Sequence, residues 1–179
     1  MSLFPVRDTG RADRPRGLYA AAYVDYREGS VLTYGELLVA RLTGRRVRIT
    51  DIWVDSPASM AGGRALWAIP KQLADLTLRD GSHGPVSRTT VEAAASGAPI
   101  ADAAFTSVPG AALVRTPFAA HTAQERSDMT PVVTPLSGSA RGLPCLGTWH
   151  FDPDGPLAFL HGRRPVLSLR LRDVRLRFG

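Results

Sequence analysis

The sequence predicts a domain of the α+β class, predominantly antiparallel β, with one notable helix near 57–67. Three observations lead there. Fourteen prolines and seventeen glycines in 179 residues ask for many turns and short strands, not a helix bundle. Short apolar or alternating runs recur between turn signals along the chain. One segment opens with a clear helix start, Ser56 as N-cap followed by Pro57 at the first helical position. No internal repeat, linker or low-complexity tract breaks the pattern. Residues 18–179 therefore read as a single domain behind an N-terminal arm of residues 1–17.

Residues through Arg16 hold no sustained pattern and read as an irregular arm. Residues 18–25 form an apolar run with Tyr19 and Tyr23, a buried strand. Arg27-Glu28-Gly29-Ser30 turns the chain into a second strand, 32–42, completing a hairpin. Gly44-Arg45-Arg46 leads to a third strand, 47–54, rich in β-branched residues. The helix follows over 58–67. Gly62 and Gly63 inside it cost about 1 kcal/mol each against Ala, which points to close backbone packing. Pro70 is expected to end the helix, since the residue before a proline is pushed to an extended conformation. Strands are then expected at 73–78 and 86–94, around a turn at Asp80-Gly81-Ser82-His83-Gly84, and at 98–105 and 111–114. Residues 116–129 are polar and aperiodic and read as a long loop. Late strands are expected at 130–136, 145–151 and 166–178, with one helical turn at 156–160.

A chain of this length can bury roughly 70% of the surface it exposes when unfolded. With 44% hydrophobic and 21% charged residues it is globular, not disordered. Cys145 is the lone cysteine, so no internal disulfide is available, and a reducing compartment, the cytoplasm, is expected. The first sixteen residues mix Arg and Asp without an apolar core, so no secretory signal is expected. No run reaches the roughly 18 apolar residues of a membrane span. A formal charge of +6 raises the question of nucleic acid. The arginines are spread along the chain, however, and their densest set, Arg170, Arg172, Arg175 and Arg177, alternates with apolar residues as a strand with one wet face does. Neither nucleic acid nor membrane is an expected partner. A cationic field that draws small anionic substrates is the remaining reading.

Lys71 is the candidate for chemistry. It is the only lysine beside 21 arginines, and it closes the apolar run Leu66-Trp67-Ala68-Ile69-Pro70-Lys71. A guanidinium stays protonated, whereas a lysine amine can lose its proton and attack a carbonyl. Either one lysine survived a compositional drift toward Arg and Ala, or it is kept where arginine will not serve. Arg64 lies two helical turns upstream, placed to hold a carboxylate or press charge on the amine. Glu36, one of four glutamates, lies on an otherwise apolar strand and shares a face with Tyr34 and Leu38. An acid in such a place pairs with a cation or moves protons.

With Gly63-Arg64 followed by Pro70-Lys71, and Tyr34-x-Glu36 upstream, the chain resembles the acetoacetate decarboxylase family from about Leu18 onward. The resemblance implies a curved sheet closing into a barrel or cone around an apolar pocket, commonly in homo-oligomers. It makes Lys71 the Schiff-base nucleophile, a mechanism for which acetoacetate decarboxylase is itself the familiar example. Glu36 corresponds to the acid that orients the amine. Arg64, Gln72, Tyr34 and Trp67 are the expected substrate contacts, and the substrate is a β-keto acid or related carbonyl compound. No metal or organic cofactor is implied. The chain departs from the family pattern in four places, one being a second acid on the first strand, which is absent unless Asp25 serves. Gln72 stands where a second lysine is common, Ala65 replaces a glutamate, and the family's N-terminal arginine has no counterpart. Aldol, dehydration or cyclisation chemistry at the same imine is therefore the alternative reaction, and a barrel that only binds a small molecule is the non-enzymatic one.

Other residues carry less. His83, His121, His150 and His161 lack metal-ligand spacing, and nothing near Cys145 and His150 would orient a base. Gly62-Gly63-Arg64 lies inside the helix, not at its start, so it is no phosphate loop. Trp53, Trp67 and Trp149 read as core or pocket wall. Asp152-Pro153-Asp154-Gly155 lacks the later bidentate acid of a calcium loop and reads as a turn.

Overall fold

The computed structural model describes residues 1–8, 10–107 and 114–179, with His83 described by its backbone alone. Among them are twelve strands: β1 (Ser2–Val6), β2 (Gly17–Tyr26), β3 (Tyr34–Thr43), β4 (Arg46–Val54), β5 (Lys71–Leu73), β6 (Asp75–His83), β7 (Val86–Ala95), β8 (Ala98–Ser107), β9 (Arg115–Glu125), β10 (Pro131–Pro144), β11 (Leu146–Phe151) and β12 (Leu167–Phe178). The one α-helix, α1 (Pro57–Trp67), lies between β4 and β5, and a 3-10 turn covers Ala158–Leu160. Among the described residues no helix is long and apolar enough to cross a membrane.

Seven strands close on themselves in the order β3-β2-β1-β12-β10-β9-β4, with β4 pairing back to β3 and β5 added beside β4. Closure leaves these seven without an open edge. Only the β4–β9 and β4–β5 pairings are parallel. A second antiparallel sheet, β11-β8-β7-β6, lies against the barrel. The main core fills the space between them. Phe4, Tyr19, Leu37, Val39 and Trp53 from the barrel wall meet Val91, Ile100, Phe105, Trp149 and Phe151 from the second sheet. A smaller cluster, Ala40, Ile49, Ile52 and Ile69, lies on the other face of the same wall, with Leu38, Trp67 and Phe178 packed against it. Strand alternation explains the division: Leu37 and Val39 point to the main core, Leu38 and Ala40 to the smaller one.

The structure corrects the expected outline in three places. Residues 2–6 are not part of an irregular arm. They form β1, which pairs with β2 along its length and with β12 at Ser2 and Leu3. Pro5 lies beyond the last pair with β12, so its missing N–H interrupts no ladder bond on that side. Residues 116–129 are not a loop, since β9 occupies 115–125. Its two buried polar residues are satisfied: Gln124 donates to Ile49 O at 3.0 Å and Thr122 to Thr134 O at 3.4 Å. The turn expected at 80–84 is strand as far as His83, and only Gly84, at φ +57°, takes a turn conformation. The strand expected at 111–114 lies outside the described residues except for Val114, which is exposed and in no strand.

Candidate active site

The segment from Ser56 to Lys71 builds the site. Ser56 is extended, and its side chain accepts the Ser59 N–H at 3.2 Å, so α1 starts where the Ser-Pro signal places it. Ser59 and Gly63, four residues apart, share the buried face of the helix. The helix ends at Ala68, which is left-handed at φ +52°, and the Ile69 N–H closes back on Gly63 O at 3.1 Å. The stop is thus a left-handed cap two residues before the expected Pro70. The chain reverses there and enters β5, which sets Lys71 beside Ile52 of β4.

The Lys71 side chain then runs back over Gly63. A Cβ at that position would lie 2.8 Å from Lys71 Cδ and 2.9 Å from Cε, so only glycine leaves room for the stem. Gly62 faces open space and has no such constraint. Lys71 is 5% exposed, and its Nζ donates to Ser59 Oγ at 2.8 Å, Glu36 Oε2 at 2.9 Å and Tyr34 OH at 3.2 Å. The three N–H donors of an ammonium meet three acceptors. Glu36 is 4% exposed and also accepts from Tyr34 OH at 3.4 Å. Nζ stands 5.0 Å from the centre of the Tyr34 ring, which stacks on Tyr26 at 4.4 Å. Burial, then the neighbouring Glu36 and Tyr34, push the Tyr26 hydroxyl far above the usual tyrosine range, so Tyr26 stays neutral.

Of the six residues singled out in the sequence, Lys71, Glu36 and Tyr34 meet at one point. The other three do not reach it. Arg64 Nε donates to the Lys71 carbonyl at 2.7 Å, holding the backbone of β5 and not the amine. Gln72, next along the strand, faces outward by alternation. Arg64 and Gln72 both line an outer cleft of about 580 Å³ with Pro70, Glu125 and Arg126. Trp67 packs on Phe178, with ring centres 5.1 Å apart, in the smaller core cluster. Strand alternation turns Gln72 away from Lys71, and the left-handed turn at Ala68 stands between Lys71 and the helix residues Arg64 and Trp67. Ser59 and Tyr26 were not singled out. The four-residue step from Ser59 to Gly63 is the signal that would have placed Ser59 on the lysine's side.

The arrangement suits proton exchange between a buried amine and a carboxylate in contact with it, the pairing that activates a lysine nucleophile. Removing one partner of such a pair strands a buried charge, at a cost of about 3–5 kcal/mol. Among the described residues no group of three His, Cys, Asp or Glu side chains is placed to hold a metal ion.

The sequence model of the acetoacetate decarboxylase family matches residues 11–127, a span that contains every residue of the cluster. The sequence has no match among curated proteins. Among solved structures, the enduracididine biosynthesis enzyme MppR complexed with pyruvate superposes with a TM-score of 0.62 at 18% identity, over 98% of this chain and 86% of that one. An acetoacetate decarboxylase-like enzyme from Sphingomonas wittichii RW1 gives 0.60 at 17% identity, over 95% and 84%. A structure of acetoacetate decarboxylase gives 0.58 at 13% identity, over 99% and 84%. At these identities the likeness shows a shared fold.

Proposed function

The chain belongs to the acetoacetate decarboxylase family, and from that premise we propose that it is a Schiff-base-forming lyase acting on a β-keto acid or related carbonyl compound. One observation carries the reading: the chain's single lysine is buried, with Nζ 2.9 Å from a buried glutamate. Lys71 gives a proton to Glu36, and the neutral amine attacks the ketone carbon. The carbonyl electron pair moves to oxygen, which takes a proton from the nitrogen. Glu36 returns its proton to that hydroxyl, which leaves as water, and a protonated imine remains on Nζ. The C–C bond to the carboxylate then breaks. Its electron pair is drawn toward the cationic nitrogen as carbon dioxide departs, leaving an enamine that is protonated on carbon and hydrolysed. Tyr34, whose hydroxyl lies 3.2 Å from Nζ, hydrogen-bonds the carbonyl oxygen during attack. Arg64 serves by fixing the Lys71 carbonyl. Gln72, which faces outward, and Trp67, which packs on Phe178, are not assigned to substrate.

A second reading, aldol or dehydration chemistry at the same imine, draws support from two points. Gln72 stands where the family often has a second lysine, and the similar MppR structure holds pyruvate. The carboxylate of an α-keto acid is attached to the imine carbon itself, so the imine gives no electron sink for its loss. Such an imine instead loses a proton from the neighbouring carbon and condenses.

Borohydride added with acetoacetate or with pyruvate reduces any imine to a stable adduct, read by mass at Lys71. The proposal expects an adduct with acetoacetate together with carbon dioxide release. An adduct with pyruvate and no carbon dioxide from acetoacetate favours the second reading. No adduct with either, from folded protein, overturns both and leaves a binding barrel. Lys71→Arg is expected to keep the fold and abolish adduct formation, because the charge remains but no neutral amine can form.

A further inference from the structure

We propose that Ser59 is a positioning residue for the reacting amine: its hydroxyl fixes the rotation about Cε–Nζ and so directs the lone pair of Lys71 toward the Tyr34 side, where the carbonyl enters. The proposal rests on the imine reading above. Of the three contacts to Nζ, the shortest is Ser59 Oγ at 2.8 Å and the longest Tyr34 OH at 3.2 Å. Ser59 and Glu36 are buried, whereas Tyr34 is half-buried, so Tyr34 marks the side from which a substrate can come. The proton reaches Glu36 through the Tyr34 hydroxyl, which accepts from Nζ and donates to Glu36 Oε2 at 3.4 Å, and the amine is left with two N–H groups and one lone pair. In a buried setting each N–H must keep an acceptor. An N–H retained by Ser59 limits the lone pair to the remaining two directions, and only that of Tyr34 lies on the accessible side.

Helix capping does not account for this hydroxyl. Ser56 already takes the Ser59 N–H, so the start of α1 is satisfied without the Ser59 side chain. Nor is Ser59 placed by chance: it lies one turn before Gly63, the residue whose lack of a side chain admits the lysine stem. One helix face thus supplies both the passage for the stem and the hold on its tip.

Because Lys71 is the only lysine, its acylation by 4-nitrophenyl acetate can be followed at one peptide by mass, independently of any keto acid. The full-length chain is compared with Ser59→Ala and Ser59→Thr, the latter keeping a hydroxyl. Ser59→Ala is expected to acylate Lys71 about tenfold more slowly and to lower kcat by a similar factor with KM little changed. Ser59→Thr should recover most of both, with all three proteins melting alike. An unchanged or faster rate in Ser59→Ala, or equal loss in both variants, overturns the proposal. If the wild type forms no borohydride adduct yet Ser59→Ala still slows acylation, the imine reading falls while the hold of Ser59 on the amine stands.

Discussion

At Gly63 the demands of the helix and of the site oppose each other. Glycine in a helix interior is disfavoured by about 1 kcal/mol against alanine. Yet a Cβ there would press on Lys71 Cδ and Cε at 2.8 and 2.9 Å. The lysine stem is flexible, so it would move before the backbone does, and Nζ would leave its place between Ser59, Glu36 and Tyr34. Gly63→Ala is therefore expected to melt no lower than the wild type while forming borohydride adduct at Lys71 at least tenfold more slowly. A variant that is destabilised, or that reacts at the full rate, would show that the contact does not hold the amine. Half of the cluster was legible in single residues. A sole lysine among arginines and an acid on an apolar strand identify Lys71 and Glu36, and a two-residue step adds Tyr34. Arg64, Gln72 and Trp67 were placed by nearness in sequence. The left-handed turn at Ala68 that stands between the helix and Lys71 is written in no glycine or asparagine.

At the level of elements, β2, β3 and the end of β4 are tied together beside the site. The Gly35 N–H donates to Asp55 Oδ1 at 2.9 Å, and a Cβ at Gly35 would lie 2.6 Å from the Tyr23 hydroxyl. Burial first, then Asp55 and Asp25, push that hydroxyl from its ordinary 10.0 up to about 12. The sign of the effect on stability follows. Below pH 10 Tyr23 is neutral in the folded and unfolded chains, and its contribution is complete. Between pH 10 and about 12 the unfolded chain ionises first, so stability falls as pH rises. Tyr23→Phe is expected to lose less stability than the wild type across that window, as measured by urea midpoints. Parallel decline of the two proteins from pH 10 upward would refute the assignment. Hairpins and α1 were legible because local turn and cap residues specify them. β9 was not, because Thr122 and Gln124 are polar residues that only a neighbouring strand makes burial-compatible.

For the whole molecule, the barrel is closed by a strand of five residues. β1 joins β2 to β12, and its Phe4 is fully buried where the barrel meets the second sheet, edge-on to Phe151 at 5.7 Å and Trp149 at 6.4 Å. Neither role is visible in Ser2-Leu3-Phe4-Pro5-Val6, which is short and carries a proline. Closure is a property of distant pairings, and only the family resemblance anticipated it. The consequence is testable far from the chemistry. Lys71 and Glu36 sit on β5 and β3, across the barrel wall from the core that Phe4 fills. Phe4→Ala leaves a cavity at the junction of the two sheets and is expected to destabilise the chain by about 3–5 kcal/mol. Because the site is built from α1, β3 and β5, the fraction that remains folded should still form adduct at Lys71 at the wild-type rate. Denaturation curves and adduct kinetics on the same samples read the two effects separately. A loss below about 0.5 kcal/mol would mean that β1 is an appendage and not a stave of the barrel, since changes of that size are usual at surface sites.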